Sequence, residues 1–158
     1  MTAAETLRYR PDIDGLRAVA VLPVVLFHAG VGAMSGGYVG VDVFFVISGY
    51  LIASMLAGDL RRGRFSLVTF YERRVRRILP AFFAVILVCS VLASVLLPPA
   101  DMINYARSAF GANVFVSNML FWKQAGYFDV SAHLKPLLHT WSLAVEEQFY
   151  IVFPLLLA

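Results

Sequence analysis

What most restricts the folds open to this chain is a set of long apolar stretches, most of which contain ionisable side chains. Residues 14–31, 38–57 and 78–97 each have the length of a transmembrane helix, and a fourth run starts near Thr140 and is still apolar at Ala158. Crossing a bilayer takes about 20 predominantly apolar residues. In the first run, Ala18 to Phe27 contains no polar side chain, yet Arg17 precedes it and His28 follows it. At about 100° per residue, their spacing brings Arg17 and His28 to within roughly 20° on one helix face, ~16 Å apart along the axis. A charged group deep in such a helix costs about 2.5–3.5 kcal/mol, so it normally faces a protein interior or a water-filled cavity. For this run alone, the alternative is that Arg17 snorkels to one surface and His28 is wetted at the other. Asp42 in the second run and Glu146 and Glu147 in the fourth repeat the pattern, which favours an interior.

Composition agrees with a membrane chain. The sequence is 60% hydrophobic and 15% charged, with a mean hydropathy of +0.77, where a soluble domain has about 45–50% apolar and about 25% charged residues. The net charge of +3 would suit nucleic acid, but the arginines are distributed as membrane topology requires. Seven of the 13 basic residues (Arg61, Arg62, Arg64, Arg73, Arg74, Arg76 and Arg77) fall between the second and third apolar runs, and Arg8, Arg10 and Arg17 precede or open the first. The positive-inside rule puts both regions in the cytoplasm, two spans apart. The expectation is therefore a multi-pass protein of the cytoplasmic (inner) membrane with a cytoplasmic N-terminus. Its partners are the lipid bilayer and no nucleic acid. The single cysteine, Cys89, excludes an intrachain disulfide. Pro23 and His28 interrupt the apolar core that a cleaved signal peptide would need.

Read in order, residues 1–8 form a polar lead, and a proline-kinked first span follows. Gly30, Gly32, Gly36 and Gly37 then mark a turn before the second span, with Asp42 near its start. The arginines Arg73 to Arg77 are expected to open the third helix, whose charge-free run Pro98-Pro99 stops. A weaker helix over about 104–122 carries Arg107, Asn113, Ser117 and Asn118, and would either span or lie in the interface. Residues 127–136 read as a loop, and the last helix begins near Thr140. The fold class is all-α: a multi-pass transmembrane helix bundle of about four to five helices, part of a larger bundle.

Several groups carry chemical potential. Asp42 shares a helix face with Phe45, Val46 and Gly49, and Gly49 would let a second helix or a ligand approach. Asp42 would pair with Arg17, orient His28, or serve only to hold two helices together. In YERRVRRILP, Arg74 and Arg77 lie on one face and Arg73 and Arg76 make a second pair. Charge bias alone accounts for cytoplasmic arginines, but planar guanidinium groups on one face also suit a bidentate phosphate clamp. In HTWSLAVEEQFY, Glu146 shares a face with Ser142, Phe149 and Tyr150, and Gln148 lies on the stripe of Trp141 and Val145. Acidic residues in a first turn are ordinary dipole partners; two of them with a glutamine and a tyrosine make a candidate proton-transfer site. His133 and His139 read as solvated, and no metal-ligand spacing is present.

These segments together resemble a known family. RPDIDGLRAVAVLPVVLFH, GGYVGVDVFFVISGYLI, YERRVRRILP and LLHTWSLAVEEQFYIVFP, in this order, look like the membrane acyltransferase 3 family over residues 9–158. Members O-acylate surface polysaccharides, peptidoglycan, lipopolysaccharide or secreted glycosides. The family fold has roughly ten helices, so the resemblance implies that this chain is its N-terminal portion and that the remaining helices complete it. It implies an acyl-CoA donor, with acetyl-CoA the default, a glycan or glycolipid acceptor and no metal. Arg73, Arg74 and Arg77 would hold the donor's phosphates. His28 would act as general base or transient acyl carrier, and Arg17 would stabilise negative charge on the donor or oxyanion. Asp42, Glu146 or Glu147 would orient the histidine or relay its proton. The rival readings are a proton-coupled transporter or flippase, and a fragment inactive without its remaining helices.

Overall fold

In the computed structural model of the chain, which describes residues 11–124 and 135–157, every regular element is helical. The lead residues, Arg8 and Arg10, His133 and most of the expected 127–136 loop lie outside the described residues. The helices are α1 (Pro11–His28), α2 (Gly40–Arg61), α3 (Leu67–Leu96), α4 (Pro99–Asn113), α5 (Ser117–Gln124) and α6 (Thr140–Leu157), with 3₁₀ turns at Gly32–Met34 and Gly37–Val39. Two stretches, Gly37–Arg61 and Leu67–Leu96, are long and apolar enough to cross a membrane. The other two expected spans fall short of that standard for a visible reason. Asp12, Asp14 and Arg17 charge the start of α1, and Glu146, Glu147 and Gln148 interrupt α6. The chain divides into two units, Met1–Gly63 and Arg64–Ala158.

In the first unit, α1 and α2 form an antiparallel hairpin whose backbones meet. A Cβ on Gly40 would lie 2.1 Å from the Ala20 carbonyl oxygen, and one on Gly37 would lie 2.1 Å from that of Pro23. Only glycine permits this approach, and its Hα points at the carbonyl in the manner of a Cα–H···O contact. Ala20 is correspondingly buried, and Ile13, Ser48, Ile52 and Leu56 continue the interior of the unit. The end of α1 is closed by Gly30 at φ +76°, with Val31 N–H donating to Leu26 O at 3.0 Å and Gly30 N–H to Phe27 O at 3.1 Å, a Schellman cap. At Gly49 nothing lies within 4 Å of the position a Cβ would take, so no described helix packs on it.

In the second unit, α3 starts well before the arginines rather than at them. Ser66 caps it, its Oγ accepting from Thr69 N–H at 3.4 Å and from the Thr69 hydroxyl at 3.2 Å. At 30 residues, α3 is about 45 Å long, against a hydrocarbon core of ~30 Å, so its arginine-bearing first turns extend beyond the apolar segment. Tyr105 fixes α4 to α3. Its hydroxyl donates to Ser90 Oγ at 2.8 Å, and the serine donates on to Ile86 O at 2.7 Å. Ala93, Tyr105 and Leu137 form the local core.

The helix expected over 104–122 is two helices. α4 starts at Pro99, ends at Asn113 and gives way to α5 at Ser117. The break is another Schellman cap, with Val116 N–H donating to Gly111 O at 2.8 Å and Phe115 N–H to Ala112 O at 3.1 Å, but Phe115 rather than glycine occupies the left-handed position at φ +53°. A side chain there costs roughly 1–2 kcal/mol. Three hydrogen bonds from Gln148 and Asn118 oppose that cost. Gln148 Nε2 donates to Phe115 O at 2.7 Å and to Asn118 Oδ1 at 3.0 Å, while Asn118 Nδ2 donates to Gln148 Oε1 at 3.1 Å. Ser117 Oγ adds a bond to Thr140 O at 2.9 Å.

Two stability predictions follow from these contacts. Gly40→Ala should cost about 1–3 kcal/mol by overpacking and lower the detergent-solution melting temperature of the full-length protein, whereas Gly49→Ala, in open space, should leave it unchanged or raise it. Equal melting temperatures for the two variants would contradict the backbone contact. A double-mutant cycle of Gln148→Ala and Asn118→Ala should give a coupling of about 0.6–1.7 kcal/mol; strict additivity would mean that the amide pair contributes nothing.

Candidate active site

The hairpin contact lies between Arg17 and His28 of α1. Ala20 and Pro23 meet α2, Arg17 lies one turn before them and His28 just past them at the last helical position. His28 is exposed, and its Nδ1 is 2.8 Å from the carbonyl oxygen of Val24. A carbonyl only accepts, so Nδ1 carries the proton and donates, and in the neutral ring the lone pair is then on Nε2. In that form the imidazole can act as a base at Nε2, which makes no hydrogen bond among the described residues. Phe27 makes an edge contact to the ring at 5.3 Å between centroids and another to Tyr38 at 5.7 Å, giving His28 an aromatic neighbour on its own helix.

Arg17 points back along α1. Its guanidinium is 3.9 Å from Asp14 Oδ1 and lies 4.9 Å from the centre of the Phe44 ring on α2. Its Nε is buried with no hydrogen-bond partner among the described residues, as is Ser48 Oγ farther along α2. Asp42 is exposed and makes no hydrogen bond or ion pair among the described residues. Its two expected partners are engaged elsewhere, Arg17 with Asp14 and His28 with a backbone carbonyl one turn earlier. Both are pairings within α1, closer in sequence than any Asp42 could offer.

In the second unit, one arginine of the four is turned inward. Arg76 pairs with Glu72 at 2.8 Å on the exposed face, and Arg73 and Arg77 are exposed. Arg74 is half-buried, with its guanidinium 4.0 Å from the centre of the Tyr150 ring and 5.7 Å from that of Phe70. The Tyr150 hydroxyl donates to Glu146 Oε1, one turn earlier on α6. Beside this pair, Glu147 is buried, with its Oε1 lacking a hydrogen-bond partner among the described residues and its carboxylate within electrostatic reach of Glu146 and Arg74. A second contact joins the same helices, the Tyr71 hydroxyl donating to Ile151 O at 2.8 Å.

The adjacent glutamates thus have different surroundings. Glu146 is engaged by Tyr150, whereas Glu147 is buried with an open acceptor. Tyr150 was visible in sequence as the residue one turn from Glu146; its contact with Arg74 was not, because it joins residues 76 positions apart. Gln148 was legible as polar but not as the partner of a backbone carbonyl. Among the described residues, no three His, Cys, Asp or Glu side chains converge in a way that would hold a metal ion.

Comparison with known proteins gives these groups a context. Residues 10–158 match the acyltransferase 3 family, described as an acyltransferase domain. The chain is 44% identical over 153 residues to the O-acetyltransferase OatA of Staphylococcus aureus strain NCTC 8325, covering 95% of this chain and 25% of the relative. It is 42% identical over 158 residues to a putative O-acetyltransferase of Staphylococcus aureus strain MSSA476, covering 99% of this chain and 26% of the relative. The chain therefore spans about a quarter of the length of these relatives. No solved structure matches it. With nearly its whole length aligned to that domain, the chain belongs to the acyltransferase 3 family.

Proposed function

We propose that the chain forms part of an integral membrane O-acyltransferase that moves an acetyl group from acetyl-CoA to a hydroxyl of a cell-surface glycan or related acceptor. The observation that carries this reading is the state of His28, an exposed imidazole whose Nδ1–H is spent on Val24 O and whose Nε2 makes no hydrogen bond among the described residues. Family membership supplies the class of reaction, and the names of the relatives supply acetyl as the group moved. The setting is the cytoplasmic membrane with the N-terminus inside, in line with the arginine distribution and the two apolar helices. The remaining helices of the full-length protein complete the bundle.

In this reaction, His28 Nε2 takes the proton of the acceptor hydroxyl as its oxygen attacks the thioester carbonyl carbon. The tetrahedral centre collapses with cleavage of the carbon–sulfur bond, and the departing thiolate takes the proton back from the imidazolium. The products are the O-acetyl ester and free coenzyme A. Arg17, ~16 Å from His28 along a continuous helix and directed toward Asp14, is poorly placed to stabilise the oxyanion. It suits negative charge on the donor instead. Arg74, and the exposed Arg73 and Arg77, are assigned to the donor's phosphates, which bidentate guanidinium groups recognise well. Glu147 is the acidic residue best suited to proton transfer, since Glu146 is already engaged by Tyr150.

Full-length protein supplied with labelled acetyl-CoA and glycan acceptor should lose ester formation by about 10²–10⁴-fold on His28→Ala substitution, with unchanged membrane insertion and detergent monodispersity. Undiminished ester formation would remove His28 from the reaction. Glycan transport with no labelled ester formed by the unaltered protein would favour a carrier instead.

A further inference from the structure

A guanidinium group has two kinds of surface: a flat face that stacks on aromatic rings, and an edge bearing five N–H donors. Arg74 uses only the face. Tyr150 lies 4.0 Å from it and Phe70 5.7 Å, while among the described residues no hydrogen bond or ion pair takes up its N–H groups. The contrast with Arg76, whose Nη2 is held by Glu72 at 2.8 Å, is direct. An arginine held by its face keeps its fork of donors in one plane and available to a bidentate anion.

What holds the face is itself braced. Tyr150 is 3% exposed, so its ring has little freedom to turn. Its hydroxyl donates to Glu146 Oε1, fixing the ring on its own helix and raising the electron density opposite the cation. One turn of α3 away, the Tyr71 hydroxyl bonds the Ile151 carbonyl at 2.8 Å, so the contact has a second anchor between α3 and α6. This chain of contacts runs from Glu146 through Tyr150 to Arg74 and ends on a donor edge that no hydrogen bond takes up among the described residues, with the Glu147 carboxylate in electrostatic reach.

We propose that Tyr150, braced by Glu146, is the positioning residue for Arg74, and that it presents the guanidinium edge to the phosphate groups of the acyl-CoA donor. The proposal rests on the assignment of Arg74 to the donor under Proposed function. It gives Glu146 a supporting role and separates it from Glu147. Tyr150 itself touches neither the acyl group nor the acceptor, so its effect is on donor affinity rather than on the chemical step.

The test uses the full-length protein with two donors, acetyl-CoA and acetyl-pantetheine, which carries the thioester without the phosphates. Tyr150→Leu should raise KM for acetyl-CoA by about 3- to 30-fold, the range of a cation–π contact, with kcat unchanged and KM for acetyl-pantetheine unaltered. Tyr150→Phe, which keeps the ring and the fold, and Glu146→Gln should each raise KM for acetyl-CoA by about 2- to 5-fold, again with no effect on acetyl-pantetheine. Arg74→Ala serves as the reference. If it raises KM for acetyl-CoA while the Tyr150 and Glu146 variants do not, the positioning role is overturned and the donor assignment of Arg74 stands. If Arg74→Ala leaves KM unchanged, the donor assignment itself is overturned. A rise in KM for both donors alike, or a fall in kcat alone, would show that Tyr150 supports the fold only.

Discussion

The contact on which the first unit depends is between backbones. At Gly37 and Gly40 the start of α2 lies so close to Ala20 and Pro23 that no side chain fits. Lipid chains offer little hydrophobic incentive for apolar helices to associate, so packing of this closeness between small residues is what holds such helices together. The contact also sets the chemistry. It fixes α1 in the interval between Arg17 and His28, leaving the guanidinium on one side against Phe44 and the imidazole on the other, at the helix end. Two groups that would be costly in an isolated apolar helix thereby acquire defined positions on one rigid element.

The second unit solves a related problem by different means. α6 must carry Glu146, Glu147 and Gln148 in an otherwise apolar helix, and polar groups without partners are expensive there. Gln148 is satisfied by Asn118 and by the carbonyl of Phe115, which also offsets the cost of a left-handed phenylalanine. Glu146 is satisfied by Tyr150. Among the described residues, Glu147 is left with an open acceptor atom, so the local energetics single out one carboxylate of the pair.

Much of the fold was legible because it follows from composition and period. The α1, α2 and α6 helices, the apolar part of α3 and the all-helical class come directly from apolar runs and their proline and glycine limits. The early start of α3 was not legible, because its cap is a lone Ser66 with no acidic residue three positions later. The break between α4 and α5 was hidden because a phenylalanine occupies a position where glycine is the usual signal. Gly37 read as a turn residue and Gly40 as part of the second span, and only the hairpin shows them as contact residues, while no described atom comes near Gly49, the more suggestive glycine. Within the site, helical spacing gave residues on one helix, such as Arg17 with His28 and Glu146 with Tyr150. It could not give Arg74 against Tyr150, which depends on how α3 and α6 meet, or the turning of Arg17 toward Asp14.

The claim at the centre of this account is that His28 is held with its proton on Nδ1 and its lone pair on Nε2. Nitrogen-15 magnetic resonance of histidine-labelled full-length protein in lipid measures this directly, with the His28 signals identified by their loss in His28→Gln. For the neutral ring the account predicts a protonated, hydrogen-bonded Nδ1 and an unprotonated Nε2. A neutral ring carrying its proton on Nε2 would contradict it, since the nitrogen assigned to the acceptor hydroxyl would then have no lone pair to take the proton.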